Sequence, residues 1–253
     1  MALVKSPQEI EILREGGSIL AEALSLAESL VRPGISTREI NDAIESLISS
    51  RDAYPAFKGL NGFPAAACIS VNEEVVHGIP GNRVLESGDI VGIDVGVRYQ
   101  GLFTDAARTF PVGEVGDEVQ RLLTVTEEAM YAGIRSAAAG NWVQDISRSI
   151  QEKVERAGYH VVRVLVGHGV GHHPHEEPQI PNYVGPFRGK RLKERMVLAI
   201  EPMVNVGTAH VKTLSDGWTV VTADRSLSAH FENTVWVTET GGEILTGDSG
   251  HHK

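Results

Sequence analysis

The chain has 253 residues, 42% of them hydrophobic and 22% charged, an ordinary globular composition with no tract biased toward disorder. A formal net charge of -10 argues against a partner held mainly through phosphates, so nucleic acid is not expected as a substrate. The single cysteine, Cys68, rules out an intramolecular disulfide and a thiolate-rich zinc site, and neither MALVKSPQEI nor any later run is apolar enough for secretion or membrane crossing, so a cytoplasmic protein is expected.

Ser6, Pro7 and Glu9 have the order of a helix start, with a capping hydroxyl, a proline in the first turn and a glutamate three residues after the cap. Apolar Ile10, Ile12, Leu13, Ile19, Leu20, Leu24 and Leu30 then predict a long amphipathic helix ending at Pro33-Gly34. Ser36 and Glu39 open a second helix with Ile40, Ala43, Ile44, Leu47 and Ile48 at core-facing spacing. Strand-like CISVNEEVVHG, DIVGIDVGVRYQ and LFTDAARTF follow.

The same order returns in the second half. A helix is expected from about Glu118 to Ala138, stopping at Gly140, with another from near Asn141, before HVVRVLVG, MVLAIEPMVNV and HFENTVWVTE. A shift of 106 residues pairs Gly34 with Gly140, Glu39 with Asp145, Ile40 with Ile146 and Ile44 with Ile150. Such a weak repeat fits either duplication or shared helix chemistry. The expected fold class is α/β (α+β), helix pairs packed on one sheet, in a single domain of two related halves, about 1–112 and 113–253.

GIDVGVRYQGLFTDAARTF carries two aspartates in strand-like segments around a short turn. If the hairpin closes over Tyr99 and Gln100, Asp94 lies directly opposite Asp105, with Cβ atoms roughly 5 Å apart on one face. Facing carboxylates repel unless one is protonated or a cation lies between them. Gly92 and Gly96 would share that face and leave it open; a different register would make both aspartates ordinary solvated residues. Glu201, at the end of MVLAI, and Glu232, within HFENTVWVT, are carboxylates beside apolar runs and need partners, either structural ion pairs or a common cation.

GHGVGHHPHEEP, residues 167–178, holds four of the ten histidines. Its glycines permit tight turns, which would hold His168 at the end of the strand VVRVLVG, with His172, His173 and His175 after the turn. Taken alone, each histidine is as well explained by a structural hydrogen bond or an exposed position as by a ligand role.

HGIP at 77–80, the Asp94 to Asp105 spacing, GHGVG followed by HEEP, IEPM at 200–203 and FEN at 231–233 together resemble the type I methionine aminopeptidases, in the same order and from the first helix to about Thr238. The resemblance implies the pita-bread fold, with a pseudo-two-fold curved sheet holding two divalent ions. It implies Asp94, Asp105, His168, Glu201 and Glu232 as metal ligands, and His77, His175 and Glu201 as catalytic groups. His77 and His175 would also contact substrate, beside a methionine pocket of Phe57, Leu60, Phe63, Cys68 and Trp218. His172 and His173 match no functional position and are expected to face solvent. Leu60 and Phe63 replace tyrosines of bacterial relatives, and Pro174 replaces a larger apolar residue.

Four carboxylates and an imidazole suit Mn, Fe or Co, with Zn also accommodated, and a water between two such ions loses its proton near neutral pH. The expected activity is removal of methionine from the N-termini of nascent polypeptides when the second residue is small, by a monomer working near the ribosome surface. The competing readings are an aminopeptidase or dipeptidase of the same fold that cleaves before proline, and a non-catalytic pita-bread module. The first usually carries an extra N-terminal domain, and the second should have lost ligand types that are all present here.

Overall fold

The computed structural model describes residues 4–247; the first three residues, which form part of the N-terminal stretch read above, lie outside the described range. Helix α1, Pro7–Leu30, starts as expected, with Ser6 Oγ accepting from Glu9 N and the Glu9 carboxylate accepting from Ser6 N at 2.7 Å. Helix α2, Thr37–Ser50, repeats the device with Ser36 and Glu39. Strands β1 Tyr54–Pro55, β2 Ala67–Val71, β3 Glu74–Val76, β4 Ile90–Tyr99 and β5 Leu102–Pro111 complete the first half, with a short 3-10 turn at Leu60–Gly62.

Helices α3, Asp117–Ser136, and α4, Val143–Arg156, open the second half. Strands β6 His160–Val161, β7 Gly167–Gly169, β8 Glu176–Ile180, β9 Val197–Ile200, β10 Met203–Asn205, β11 Val211–Thr213, β12 Val220–Thr222, β13 Ser228–His230, β14 Glu232–Val237 and β15 Gly242–Ile244 follow. HVVRVLVG is therefore not one strand. It pairs only at its two ends, and Val164 between them is 75% exposed, so His168 lies inside the short β7 rather than at the end of a longer strand.

A nine-stranded antiparallel sheet has the order β1-β4-β5-β14-β9-β7-β8, with β2 also on β4 and β15 on β14. Two three-stranded sheets, β13-β10-β6 and β11-β12-β3, flank it. The helices cover one side. Leu20, Leu24, Ile40, Ile44 and Ile48 pack against Val91, Ile93, Val95 and Val97 of β4, and α3 and α4 pack against β9 and β14 in a second apolar cluster. Alternation along each strand leaves the opposite face free for polar side chains.

The 106-residue shift maps Thr37–Ser50 onto Val143–Arg156 end for end. Gly34 and Gly140 both take positive φ, 90° and 93°, and their N–H groups donate to Leu85 O and Leu192 O. The Asp145 carboxylate accepts from Trp142 N at 2.8 Å, as that of Glu39 accepts from Ser36 N at 2.9 Å. The paired helices thus share the carboxylate that bonds the N-cap N–H and their entry contacts as well as their spacing, although Trp142 lacks the capping hydroxyl of Ser36.

Candidate metal centre and substrate cleft

The β4–β5 hairpin turns at Gln100-Gly101, one residue later than expected, so Asp94 pairs with Ala107 and Asp105 with Gly96. The reason lies in turn chemistry. A two-residue type I′ loop needs positive φ at both central positions, and Gln100 (45°) and Gly101 (87°) supply it where the bulky Tyr99 would not. The correction moves the pairing by two positions, which preserves side-chain parity, so the aspartates are diagonal neighbours on the same face rather than directly opposed.

Two rows of cross-strand neighbours bring the other ligand types to them. Asp94, Ala107 and Glu232 are paired in line across β4, β5 and β14. His168, Ala199 and Thr234 are paired in line across β7, β9 and β14. Thr234 Oγ1 clasps the Asp105 backbone, accepting from its N–H at 2.8 Å and donating to its carbonyl at 2.7 Å. Glu201 follows directly after β9, where Pro202 cannot continue the ladder, and its Oε1 lies 3.2 Å from His168 Nε2.

Asp105, His168 and Glu232 are buried, and each presents a ligand atom within 4.8 Å of the other two. One oxygen each of Asp94, Asp105 and Glu232 is buried without a hydrogen-bond partner. Burial, then the charge of Glu201, lifts the Asp94 carboxyl to about 8; burial and neighbouring carboxylates raise Asp105 and Glu232 well above the usual range. Burial alone would disfavour a charged His168, but the hydrogen bond and charge of Glu201 outweigh it and raise its pKa. A protein does not gather unpartnered, mutually repelling carboxylates in a dry site without a cation to neutralise them, so the donor set fits divalent metal.

The linkage signs give a testable consequence. Acids whose folded pKa is raised make the fold lose stability as pH climbs from the unfolded value, about 4, through the folded one. His77, His175 and His230 have lowered pKa values because the cleft desolvates them, and they act in the opposite sense, but only below about pH 6.5. Chelator-stripped protein is thus expected to melt at a lower temperature at about pH 8.5 than at about pH 7, and Mn²⁺ should raise the melting temperature more at the higher pH. Thermal scans at both pH values check this; a metal-free melting temperature that rises across the interval contradicts it.

A cleft of about 240 Å³ opens onto these groups. Phe57, Leu60, Phe63, Cys68 and Trp218 all line it, with Phe63 and Trp218 edge to face at 5.2 Å. Cys68 in β2 lies directly across from Asp94, so the apolar pocket and the acidic cluster share one sheet face. Gly96 is what seats Phe57 there, since a Cβ at that position would come within 2.7 Å of the ring. Pro174, by contrast, is not among the lining residues.

His77 and His175 also line the cleft. His77 has a φ of 60°, a conformation that costs of order 1–3 kcal/mol and persists where the surroundings enforce it. The His175 ring meets that of His168 edge to face at 4.5 Å, and burial, then the charges of His168 and His77, lower its pKa to about 4. It is a neutral donor at pH 7.

Expectation fails for His172. It is part-buried, its Nε2 lies 2.6 Å from Glu9 Oε1 and its Nδ1 3.3 Å from Lys5 Nζ, so it belongs to an internal polar network rather than facing solvent. His173 is exposed, as expected. Among cleft residues not foreseen, Val76, Leu165 and Met203 extend the apolar wall, and His230 points its Nε2 between Glu201 and Glu232 at 3.9 and 4.0 Å. The two-residue spacing of His230 and Glu232 was the available signal for a shared face.

The sequence pattern of metallopeptidase family M24 matches residues 11–239. The chain belongs to this family. Within it, the chain is 52% identical over 246 residues to a methionine aminopeptidase of Clostridium perfringens, covering 97% of this chain and 99% of the relative. Its fold matches the crystal structure of a methionine aminopeptidase from Thermotoga maritima with a TM-score of 0.95, at 45% identity and covering 97% and 99% of the two chains. A prolidase from Pyrococcus furiosus has the same pita-bread fold, with a TM-score of 0.80 at 26% identity, but this chain covers only 66% of it. Among the described residues, no helix is long and apolar enough to cross a membrane.

Proposed function

We propose that this M24 metallopeptidase is a methionine aminopeptidase, acting on polypeptides whose second residue is small, through one catalytic domain built of two related halves. The observation that carries the reading is the meeting, on one sheet face, of an apolar cleft with a buried carboxylate and imidazole cluster whose oxygens lack partners. Asp94, Asp105, His168, Glu201 and Glu232 would hold two divalent ions, of Co, Mn, Fe or Zn. When bound, these supply Lewis acidity and lower the pKa of water.

The chain's own residues supply the rest. Phe57, Leu60, Phe63, Cys68 and Trp218 enclose the methionine side chain, an unbranched polarizable group suited to aromatic edges and a thiol. The closed fit excludes water and fixes the scissile carbonyl beside the acidic cluster. Neutral His175 donates to the oxygen on which negative charge develops, and His77, held in its unusual backbone conformation, steadies the scissile amide. Glu201 takes the proton of the attacking water and returns it to the departing amine.

The prolyl-peptidase reading shares the fold but fits less well. The cleft wall beside the cluster is aromatic and apolar, shaped for an unbranched apolar side chain. A monomer acting on N-termini of nascent chains near the ribosome surface completes the proposal.

A peptide panel tests it. kcat/KM is expected to be highest for N-terminal Met before Ala, Gly or Ser and low before Lys or Leu. Norleucine should be tolerated better than alanine in the first position, because each missing methylene there is worth roughly 1–3 kcal/mol. Equal cleavage of N-terminal Met and Ala, or preferred release of residues before proline, overturns the methionine assignment.

A further inference from the structure

We propose that Lys5 is a positioning residue for His175, acting through a buried ion pair with Glu176. The inference rests on the reading of His175 as a donor to the reacting carbonyl.

Lys5 is 1% exposed, an uncommon state for a lysine. Its backbone is pinned by donation from its N–H to Arg195 O at 2.8 Å, beside the bridge between Val4 and Met196. From there its stem runs against the GHGVG loop at Gly171, where a Cβ would lie 2.4 Å from Lys5 Cε. The glycine therefore leaves the room that the Lys5 stem and ammonium occupy against the loop.

There Nζ donates to Glu176 Oε2 at 2.7 Å and lies 3.3 Å from His172 Nδ1. The second Glu176 oxygen accepts from His173 N at 2.8 Å, and His172 Nε2 meets the Glu9 carboxylate, which also caps α1. Lys5, Glu9, His172 and Glu176 thus tie the start of the first helix to the segment between β7 and β8.

That segment follows directly on β7, which carries His168, and ends with His175, the immediate neighbour of Glu176. Among the described residues, no side chain hydrogen-bonds the His175 ring, which meets the His168 ring edge to face. The ring is placed by its backbone, and its backbone by Glu176. A buried cation and a buried carboxylate each incur a large desolvation cost unless they stay together, so the pair admits one arrangement of the loop where an apolar contact would tolerate several. A donor aimed at developing charge acts only within a narrow geometric window, and a misplacement of about 1 Å can cost up to about 10²-fold in rate.

The test is a double-mutant cycle on the metal-loaded, full-length protein with a Met-Ala-Ser peptide. Lys5→Met is expected to lower kcat about tenfold, with KM and bound metal nearly unchanged. In a His175→Ala background the same substitution should have almost no further effect on kcat, since the group it positions is gone. A loss confined to stability would leave that second step undiminished.

An unchanged kcat in Lys5→Met, beside a damaged His175→Ala, overturns the positioning role alone. So does a Lys5→Met penalty that persists at full size without His175. Full activity in His175→Ala would instead refute the donor role itself. Should Lys5→Met fail to fold, Glu176→Gln, which keeps the outline of the other partner, enters the same cycle with the same deciding outcomes.

Discussion

Asp105→Ala is expected to lose bound divalent metal and turnover together while remaining folded. The backbone at this position is clasped by Thr234 Oγ1 in both directions, and neither bond uses the carboxylate. Removal of that carboxylate also relieves repulsion, because Asp94 and Glu201 both raise the Asp105 pKa and Asp105 in turn raises that of Glu232. The metal-free variant should consequently melt no lower than the metal-free parent. The cost falls on the cation: metal contributes several kcal/mol of transition-state stabilisation, so the rate should fall by roughly 10³-fold or more. Metal analysis after gel filtration, melting curves with and without chelator, and peptide turnover separate these effects. Full metal content with normal turnover would remove Asp105 from the site.

The sequence reveals what is local and obscures what is not. Ser6 with Glu9 and Ser36 with Glu39 place two helix starts because capping bonds span three residues. The shared face of Asp94 and Asp105 is legible from parity, and parity survives the two-position error in pairing. The pairing itself depends on which residue tolerates positive φ, a comparison of Tyr99 with Gly101 that composition alone does not settle. His168, Glu201 and Glu232 meet the aspartates only through β5 on β14, β14 on β9 and β9 on β7, long-range pairings to which no local pattern points; the ordered motifs of a family stand in for that missing information.

His172 shows the same limit from the other side. Nothing in HHPHEEP distinguishes it from His173, because its partners Lys5 and Glu9 lie more than 160 residues away. Lys5 likewise reads as a surface residue before a helix, and its burial follows from the room left at Gly171. His230 was legible in principle, two residues before Glu232, but Phe231 between them separates two strands of different sheets, so alternation alone does not guarantee the shared site.

Three of the four histidines in residues 167–178 should therefore separate by role when each is replaced with alanine. His175→Ala is expected to keep its metal and lose on the order of 10²-fold or more in kcat, the usual cost of a missing donor to developing negative charge. Metal should stay because the ring meets the centre only at the edge of His168, while the Asp105, His168 and Glu232 ligand atoms remain. His175 is neutral at pH 7 with its pKa near 4, so the loss should be nearly constant between about pH 6 and pH 8, as a neutral donor requires. His168→Ala removes the imbalance-correcting imidazole beside Glu201 and should lose metal. His172→Ala leaves the cluster intact but strips Glu9 and Lys5 of a partner, so it should lower the melting temperature while retaining metal. Metal content measured beside kcat and melting temperature gives each variant its own signature. Loss of metal in His172→Ala with retention in His168→Ala would reverse the assignment, and an undiminished kcat in His175→Ala would leave the oxyanion without the donor proposed for it.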